Sequence, residues 1–434
     1  MRALFVSLLA LASIVTLWGR SPNVIVIMAD DIGFECYSAY GSSFYSTPNI
    51  DRLAETGALF THAYSQPICT PSRVKIMTGR YNFRNYKEFR VLDLDEPNFA
   101  KMVKANGYST MIAGKWQLSP ENLDGPFQAG FDDYLLWHFT LGNQATSEYP
   151  VFNDKGSRYK SPRLFENGKV VPRLDGAYGP DVVTDYIVDY IEQKQSEPFL
   201  IYYPMILVHN PFDPTPLSPD WEKKDKSRDP RDHFQEMVIH MDKVIGRIVD
   251  KLDETGLRED TLILITGDNG TNTAIHSPFP GRGLVQGGKG KMTDAGTRVA
   301  FVANWKGRIQ PGTKIDQLVS FADVLPTIGD VTESRIPSGM DGQSLMPLFK
   351  GKLDQDRDWL FMSYSRNGLE SGPFRCFIRD QRWKLYSTGE LYDIPNDWLE
   401  QYPASGLEAD AARQRLQRLM DKITSQAPAG HFAR

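Results

Sequence analysis

Asn23-Val24-Ile25-Val26-Ile27-Met28-Ala29 runs directly into Asp30-Asp31. Seven uncharged residues, four of them β-branched and none in polar alternation, predict a short strand buried on both faces, as in a parallel sheet. Two carboxylates at its end are costly in a core, but open α/β sheets bind their ligands beyond the carboxyl ends of their strands. Three further runs end the same way. Residues 108–113 lead into Gly114-Lys115-Trp116. Phe199-Leu200-Ile201-Tyr202-Tyr203 continues through 204–208 to His209-Asn210-Pro211. Thr261-Leu262-Ile263-Leu264-Ile265-Thr266 ends in Gly267-Asp268-Asn269-Gly270. Four strand ends thus deliver carboxylates, a lysine and a histidine to one rim.

Helical patterns lie between these runs. Thr47-Pro48-Asn49 opens one that Gly57 closes, residues 98–106 make another ended by Gly107, and 181–194 follow Gly179-Pro180. The longest, 233–255, places Met237, Met241, Val244, Ile245, Ile248 and Leu252 at three- and four-residue steps, a core-facing stripe. With a further apolar run at 298–305, the alternation predicts an α/β fold: a large, mostly parallel sheet flanked by helices. Beyond about Val331 the texture changes. Trp359-Leu360-Phe361-Met362-Ser363 and Arg382-Trp383-Lys384-Leu385-Tyr386 read as antiparallel strands and 408–425 as a closing helix, so a small C-terminal α+β subdomain with an antiparallel sheet is expected. The chain then divides into 1–20, 21–330 and 331–434, with no internal repeat and no low-complexity tract.

The 434 residues, 41% hydrophobic and 24% charged, suffice for a sizeable core, and the net charge of −5 argues against nucleic acid as a partner. Met1-Arg2 precedes an apolar run, 3–18, and then Arg20-Ser21-Pro22-Asn23. The run is shorter than the about 20 residues a spanning helix needs and suits the core of a cleaved export signal, although Leu17-Trp18-Gly19 is a poor cleavage site. An uncleaved anchor is the alternative. The expected location is periplasmic or extracellular, with no stable membrane insertion once the signal is removed. Cys36, Cys69 and Cys376 are no disulfide framework, and whether Cys36 and Cys376 pair stays open.

Cys69-Thr70-Pro71-Ser72-Arg73 locates the chemistry. Thr70 reads as an N-cap, Pro71 as the first helical residue and Gly79 as the stop. Residue 69 then sits beside a helix N-terminus that favours an anion, with Arg73 one turn on. Asp30, Asp31, Asp268 and Asn269 form an all-oxygen set suited to Ca²⁺ or Mg²⁺. Either pair alone reads as turn residues, but both at strand ends read as metal ligands. Lys115, His209 and Lys289, the last in Gln286-Gly287-Gly288-Lys289-Gly290-Lys291, are candidate electrophilic partners. Taken singly, each is more simply a surface charge, a buried histidine or a flexible-loop lysine.

The set of motifs resembles the type I sulfatase family of the alkaline-phosphatase-like superfamily. The resemblance rests on Cys69-Thr70-Pro71-Ser72-Arg73 with Thr78-Gly79-Arg80, on Asp30-Asp31, Gly114-Lys115-Trp116, Asp268-Asn269-Gly270 and Gly288-Lys289-Gly290 in that family's order, and it extends to Glu390-Leu391-Tyr392-Asp393. It implies an alkaline-phosphatase-like sandwich and an exported enzyme that hydrolyses sulfate esters. It further implies that Cys69 is oxidised to formylglycine by a formylglycine-generating or sulfatase-maturating enzyme. One hydroxyl of the aldehyde hydrate attacks sulfur and displaces the alcohol, and the other then expels sulfate. Carried over, Asp30, Asp31, Asp268 and Asn269 bind one Ca²⁺ together with residue 69. Arg73 stabilises the hydrate, Lys115 and Lys289 hold sulfate oxygens, and His209 protonates the leaving alcohol.

Two positions depart from the family pattern. Gln117 stands where many members have histidine, and glutamine cannot take a proton there. Asp294, in Thr293-Asp294-Ala295-Gly296-Thr297-Arg298, stands where glutamate is commoner. Between residues 155 and 173, Arg158, Lys160, Arg163, Lys169 and Arg173 are opposed only by Glu166, with Trp137, His138 and Tyr159 nearby. His138, Arg158, Arg163 and Gln117 are candidate contacts to a sulfated saccharide or small molecule, and a solvated surface loop is the plainer alternative for the basic run. Rival functions are a phosphomonoester, phosphodiester or phosphonate hydrolase on the same fold, and a carbohydrate-binding protein weakened in catalysis, which Gln117 alone favours.

Overall fold

The computed structural model describes residues 20–119, 121–137, 158–172, 174–225, 227–352, 357–369 and 372–433. In chain order the strands are β1 Asn23–Ala29, β2 Ala58–Tyr64, β3 Ser109–Lys115, β4 Asp133–Trp137, β5 Phe165–Glu166, β6 Lys169–Val170, β7 Phe199–Pro204, β8 Thr261–Gly267, β9 His276–Phe279, β10 Gly283–Gln286, β11 Arg298–Asn304 and β12 Thr313–Ser320. β13 Leu360–Tyr364, β14 Arg375–Arg379, β15 Trp383–Tyr386 and β16 Leu391–Asp393 follow. Ten of them form one sheet in the order β12-β2-β11-β8-β1-β7-β3-β4-β5-β6. β8, β1, β7, β3 and β4 run parallel, while β11 lies antiparallel to both β8 and β2.

β1 is central and buried along its whole length. Its side chains alternate between the two faces: Val24, Val26 and Met28 enter one apolar cluster, and Ile25, Ile27 and Ala29 the other. The helices Gly179–Gln193 and Pro230–Glu254 cover the second face through residues such as Ile187, Met241 and Ile248, and Cys69–Thr78 lies on the first through Val74, Ile76 and Met77. The four-stranded sheet β13-β14-β15-β16 is antiparallel, and its Phe361, Ile378 and Leu385 join the first cluster. The small sheet therefore packs on the large one through a continuous core. Among the described residues no helix is long and apolar enough to cross a membrane.

One expectation needs correction, and the open question of a Cys36–Cys376 pair is answered. The helix begins at Cys69, with extended Ile68 and not Thr70 as its N-cap; Ile68 O accepts from Ser72 N–H at 3.4 Å, and the Thr70 hydroxyl finds no hydrogen-bond partner. Residue 69 thus lies within the first turn. Cys36 and Cys376 are not paired: both are buried free thiols, Cys36 against Thr271 and Ser277 and Cys376 in β14.

Candidate active site

Backbone bonds extend the sheet past its strand ends and draw the polar residues together. Asp268 N–H donates to Ala29 O, Asp30 N–H to Leu207 O and Val208 N–H to Asp30 O, each at 2.8 Å. Asp31 turns aside with φ 61°, a left-handed conformation that Asp tolerates, and its N–H donates to Asp268 Oδ1 at 3.0 Å. Lys115 Nζ, at the end of β3, donates to Asp30 Oδ2 at 2.6 Å. Asn269 Nδ2 donates to Asp31 Oδ1 at 3.0 Å. Lys289 Nζ donates to Asp31 Oδ2 and stands 3.4 Å from His209 Nε2.

The glycine-rich loop is stitched down on both sides. Lys289 N–H donates to Thr271 O at 3.0 Å and Gly290 N–H to Pro67 O at 2.7 Å. A Cβ at Gly288 would lie 2.3 Å from the Ala295 carbonyl carbon, so only glycine permits this approach. The helix Cys69–Thr78 is fastened by Ser72, whose Oγ accepts from Gln66 N–H at 2.9 Å and donates to Asp268 O at 2.5 Å. Arg73 NH1 donates to Lys115 O at 2.9 Å, while NH2 lies 3.4 Å from Asp268 Oδ2 and 3.8 Å from Asp30 Oδ2. One helix thus carries both residue 69 and the guanidinium that binds two strand-end carboxylates. Sequence reasoning left Ser72 without a role, although its place one turn from Cys69 was visible.

The charges polarise one another. Burial pushes the Asp30 carboxyl up, but Lys115, His209, Arg73 and Lys289 outweigh it and hold Asp30 well below the usual carboxylate range. Asp268 goes the other way: burial and then the Asp30 charge push it well above that range, with Arg73 offsetting only in part. Burial pushes the His209 imidazole down against the pull of Asp31, which favours a neutral ring. Asp30 Oδ1 and Asn269 Oδ1 are buried without any donor. Bare oxygens in a buried, all-oxygen cluster fit a hard cation. The other carboxylate–histidine group among the described residues, Asp220, His233 and Glu236, has its carboxylates closed by Arg228 and Ser218 and offers no bare oxygen, its one unpartnered atom being His233 Nδ1.

Arg158 is not on a solvated loop. Its guanidinium stacks 4.3 Å from the Trp137 ring centre, and NH1 lies 2.9 Å from His209 Nδ1 and 2.8 Å from Asn210 O. Tyr159 OH donates to the His209 carbonyl. This clamp was not read from sequence; the only hint was the pairing of basic and aromatic residues. Gln117 is buried with a positive φ of 56°, and its Oε1 has no partner. Arg163 is half-buried just ahead of β5. His138 and Arg173 lie outside the described residues.

The family model described as Sulfatase matches residues 22–334. The chain belongs to the sulfatase family. A second family model, for the C-terminal part of N-sulphoglucosamine sulphohydrolase, matches residues 288–426 of this sulfatase. Human arylsulfatase A is 30% identical over 472 residues, covering 95% of this chain and 89% of that protein. Ps i-CgsB, solved alone and in complex with k-i-k-neocarrahexaose, is 25% identical with a TM-score of 0.78, covering 95% of each chain. A solved structure holding D-glucosamine-2-N,6-O-disulfate is 22% identical with a TM-score of 0.74, over 94% of this chain and 98% of that one, a likeness of fold. This sulfatase is therefore a sulfuric ester hydrolase with the alkaline-phosphatase-like fold.

Proposed function

We propose that this sulfatase is exported and releases sulfate from a sulfated carbohydrate. In this reading Cys69 becomes formylglycine through a maturating enzyme, and Asp30, Asp31, Asp268 and Asn269 hold one Ca²⁺ with residue 69. The cation supplies Lewis-acid polarisation of a sulfate oxygen, and the aldehyde hydrate the hydroxyl that attacks sulfur. The protein's own residues do the rest. Lys115 and Lys289, which pair with Asp30 and Asp31, would donate to sulfate oxygens. His209, with Nε2 3.4 Å from Lys289 Nζ and Nδ1 2.9 Å from Arg158, is the group at the leaving ester oxygen, and in its imidazolium form it protonates the departing alcohol. Arg73 neutralises charge at residue 69, and Gln117 positions without exchanging a proton. Each charge-stabilising contact is worth about 3 kcal/mol in the transition state.

The observation that carries this reading is Arg73. It shares a helical turn with residue 69 and touches both Asp268 and Asp30, so nucleophile and cation share one rigid frame. The saccharides held by Ps i-CgsB and by the glucosamine-disulfate structure support the substrate class. Chelation should abolish sulfate release and Ca²⁺ restore it. Restoration by Zn²⁺ alone would replace this reading with a phosphomonoester or phosphonate hydrolase.

A further inference from the structure

Away from the strand-end cluster, a cleft of about 680 Å³ opens between β2 and β12, the β9–β10 hairpin and the small sheet, within the size range of ligand sites. It concentrates cations in a chain of net charge −5. Arg282, Arg298 and Lys314 line it, and among the described residues none of them lies within ion-pair distance of a carboxylate. The Arg282 guanidinium stands 4.5 Å from the Trp398 ring centre, 5.8 Å from Phe34 and 5.9 Å from Phe279, and Arg298 stands 4.4 Å from Phe34. Such stacking fixes the guanidinium plane and leaves its N–H edges as donors.

The donors are not equally used. Arg298 spends Nε and NH2 on Thr61 O, at 2.9 and 2.6 Å, whereas Arg282 NH1 is buried with no partner. Arg379, also in the lining, is taken up by Asp294, Tyr64 and two backbone carbonyls. Asp316, the only carboxylate in the lining among the described residues, accepts the Thr61 hydroxyl at 2.7 Å. Lys314 is exposed and free at the edge.

We propose that this cleft is a second binding site, which takes sulfate groups of a sulfated saccharide chain away from the bond being hydrolysed. Arg282 offers the preorganised fork and Lys314 a mobile second charge. The proposal rests on the carbohydrate reading above. Titration calorimetry of the full chain with a heparin-derived hexasaccharide, against its desulfated counterpart, should show two classes of binding. The double variant Arg282→Gln/Lys314→Glu should weaken one class at least about tenfold, and Lys314→Glu alone, at an exposed position, severalfold without change in melting temperature. A saccharide affinity untouched in both variants, equal binding of the desulfated sugar, or binding of inorganic sulfate with no gain from the saccharide would each overturn it. Binding in the cleft without sulfate release would sink the carbohydrate-substrate reading and leave the cleft. Sulfate release with a single class indifferent to Arg282 and Lys314 would do the reverse.

Discussion

Arg158 touches His209, and His209 in turn lies 3.6 Å from Asp31 Oδ2. The arginine is a positioning residue, so Arg158→Ala should lower kcat by about 10²-fold with KM little changed. An unaltered kcat, or a fall matched by a loss of thermal stability, would contradict that role. Lys75 sits on the same helix as Cys69, fully buried, with no hydrogen-bond partner for Nζ and the Tyr81 ring centre 5.5 Å away. Burial, only partly offset by Asp323, pushes its ammonium down from 10.5 to about 7. A lysine with a depressed folded value penalises folding fully below about 7, and the penalty fades as pH rises toward the unfolded value. Lys75→Met should therefore stabilise by about 1–4 kcal/mol at pH 6 and by less at pH 9.5, as measured by urea unfolding; equal gains at both pH values would refute the assignment. Asp30, Asp31, Lys115 and Asp268 were legible because a buried strand tolerates no charge at its end without a reason. The partners of Arg158 were not, because a loop contact leaves no periodic trace.

Asp294 starts the short helix Asp294–Thr297 and joins elements distant in sequence. Arg379 of β14 lies 3.2 Å away, Lys384 of β15 3.6 Å away, and Tyr64 OH of β2 donates to it at 3.0 Å. Burial pushes this carboxyl up, but Arg379, Lys384 and Arg298 outweigh it and hold it below the usual range. The network ties the small sheet to the loop that carries Lys289. Asp294→Ala should cost about 3–5 kcal/mol in urea unfolding by leaving buried Arg379 without its carboxylate, while Lys384 keeps Glu400 at 2.8 Å; a loss under about 1 kcal/mol would contradict this. Buried strands such as β1 and β8 were readable as unbroken apolar runs. β2 and β12 were not, since Thr61 and His62 interrupt one and Lys314, Asp316 and Gln317 the other, at the sheet's edge. The antiparallel direction of β11 was equally hidden, because an apolar run looks the same from either end.

Over the whole molecule, an anionic chain presents cations at both places where it is proposed to meet its anionic substrate: Lys115, Lys289 and Arg73 at the strand ends, and Arg282 and Lys314 in the cleft. Such local fields draw a sulfated ligand in despite the net charge. Both sheets share one apolar core, so the helix bearing residue 69, the loop bearing Lys289 and the β14–β15 cations form a single framework. Its purpose, in this account, is to hold an oxidised residue 69 beside a cation. Mass spectrometry of the peptide covering residues 67–80, from active protein made in a maturation-competent host, tests that most directly. The account predicts a mass about 18 Da below that of the Cys69 thiol peptide, as replacement of CH₂SH by CHO requires. Active protein carrying only the unmodified thiol would contradict it.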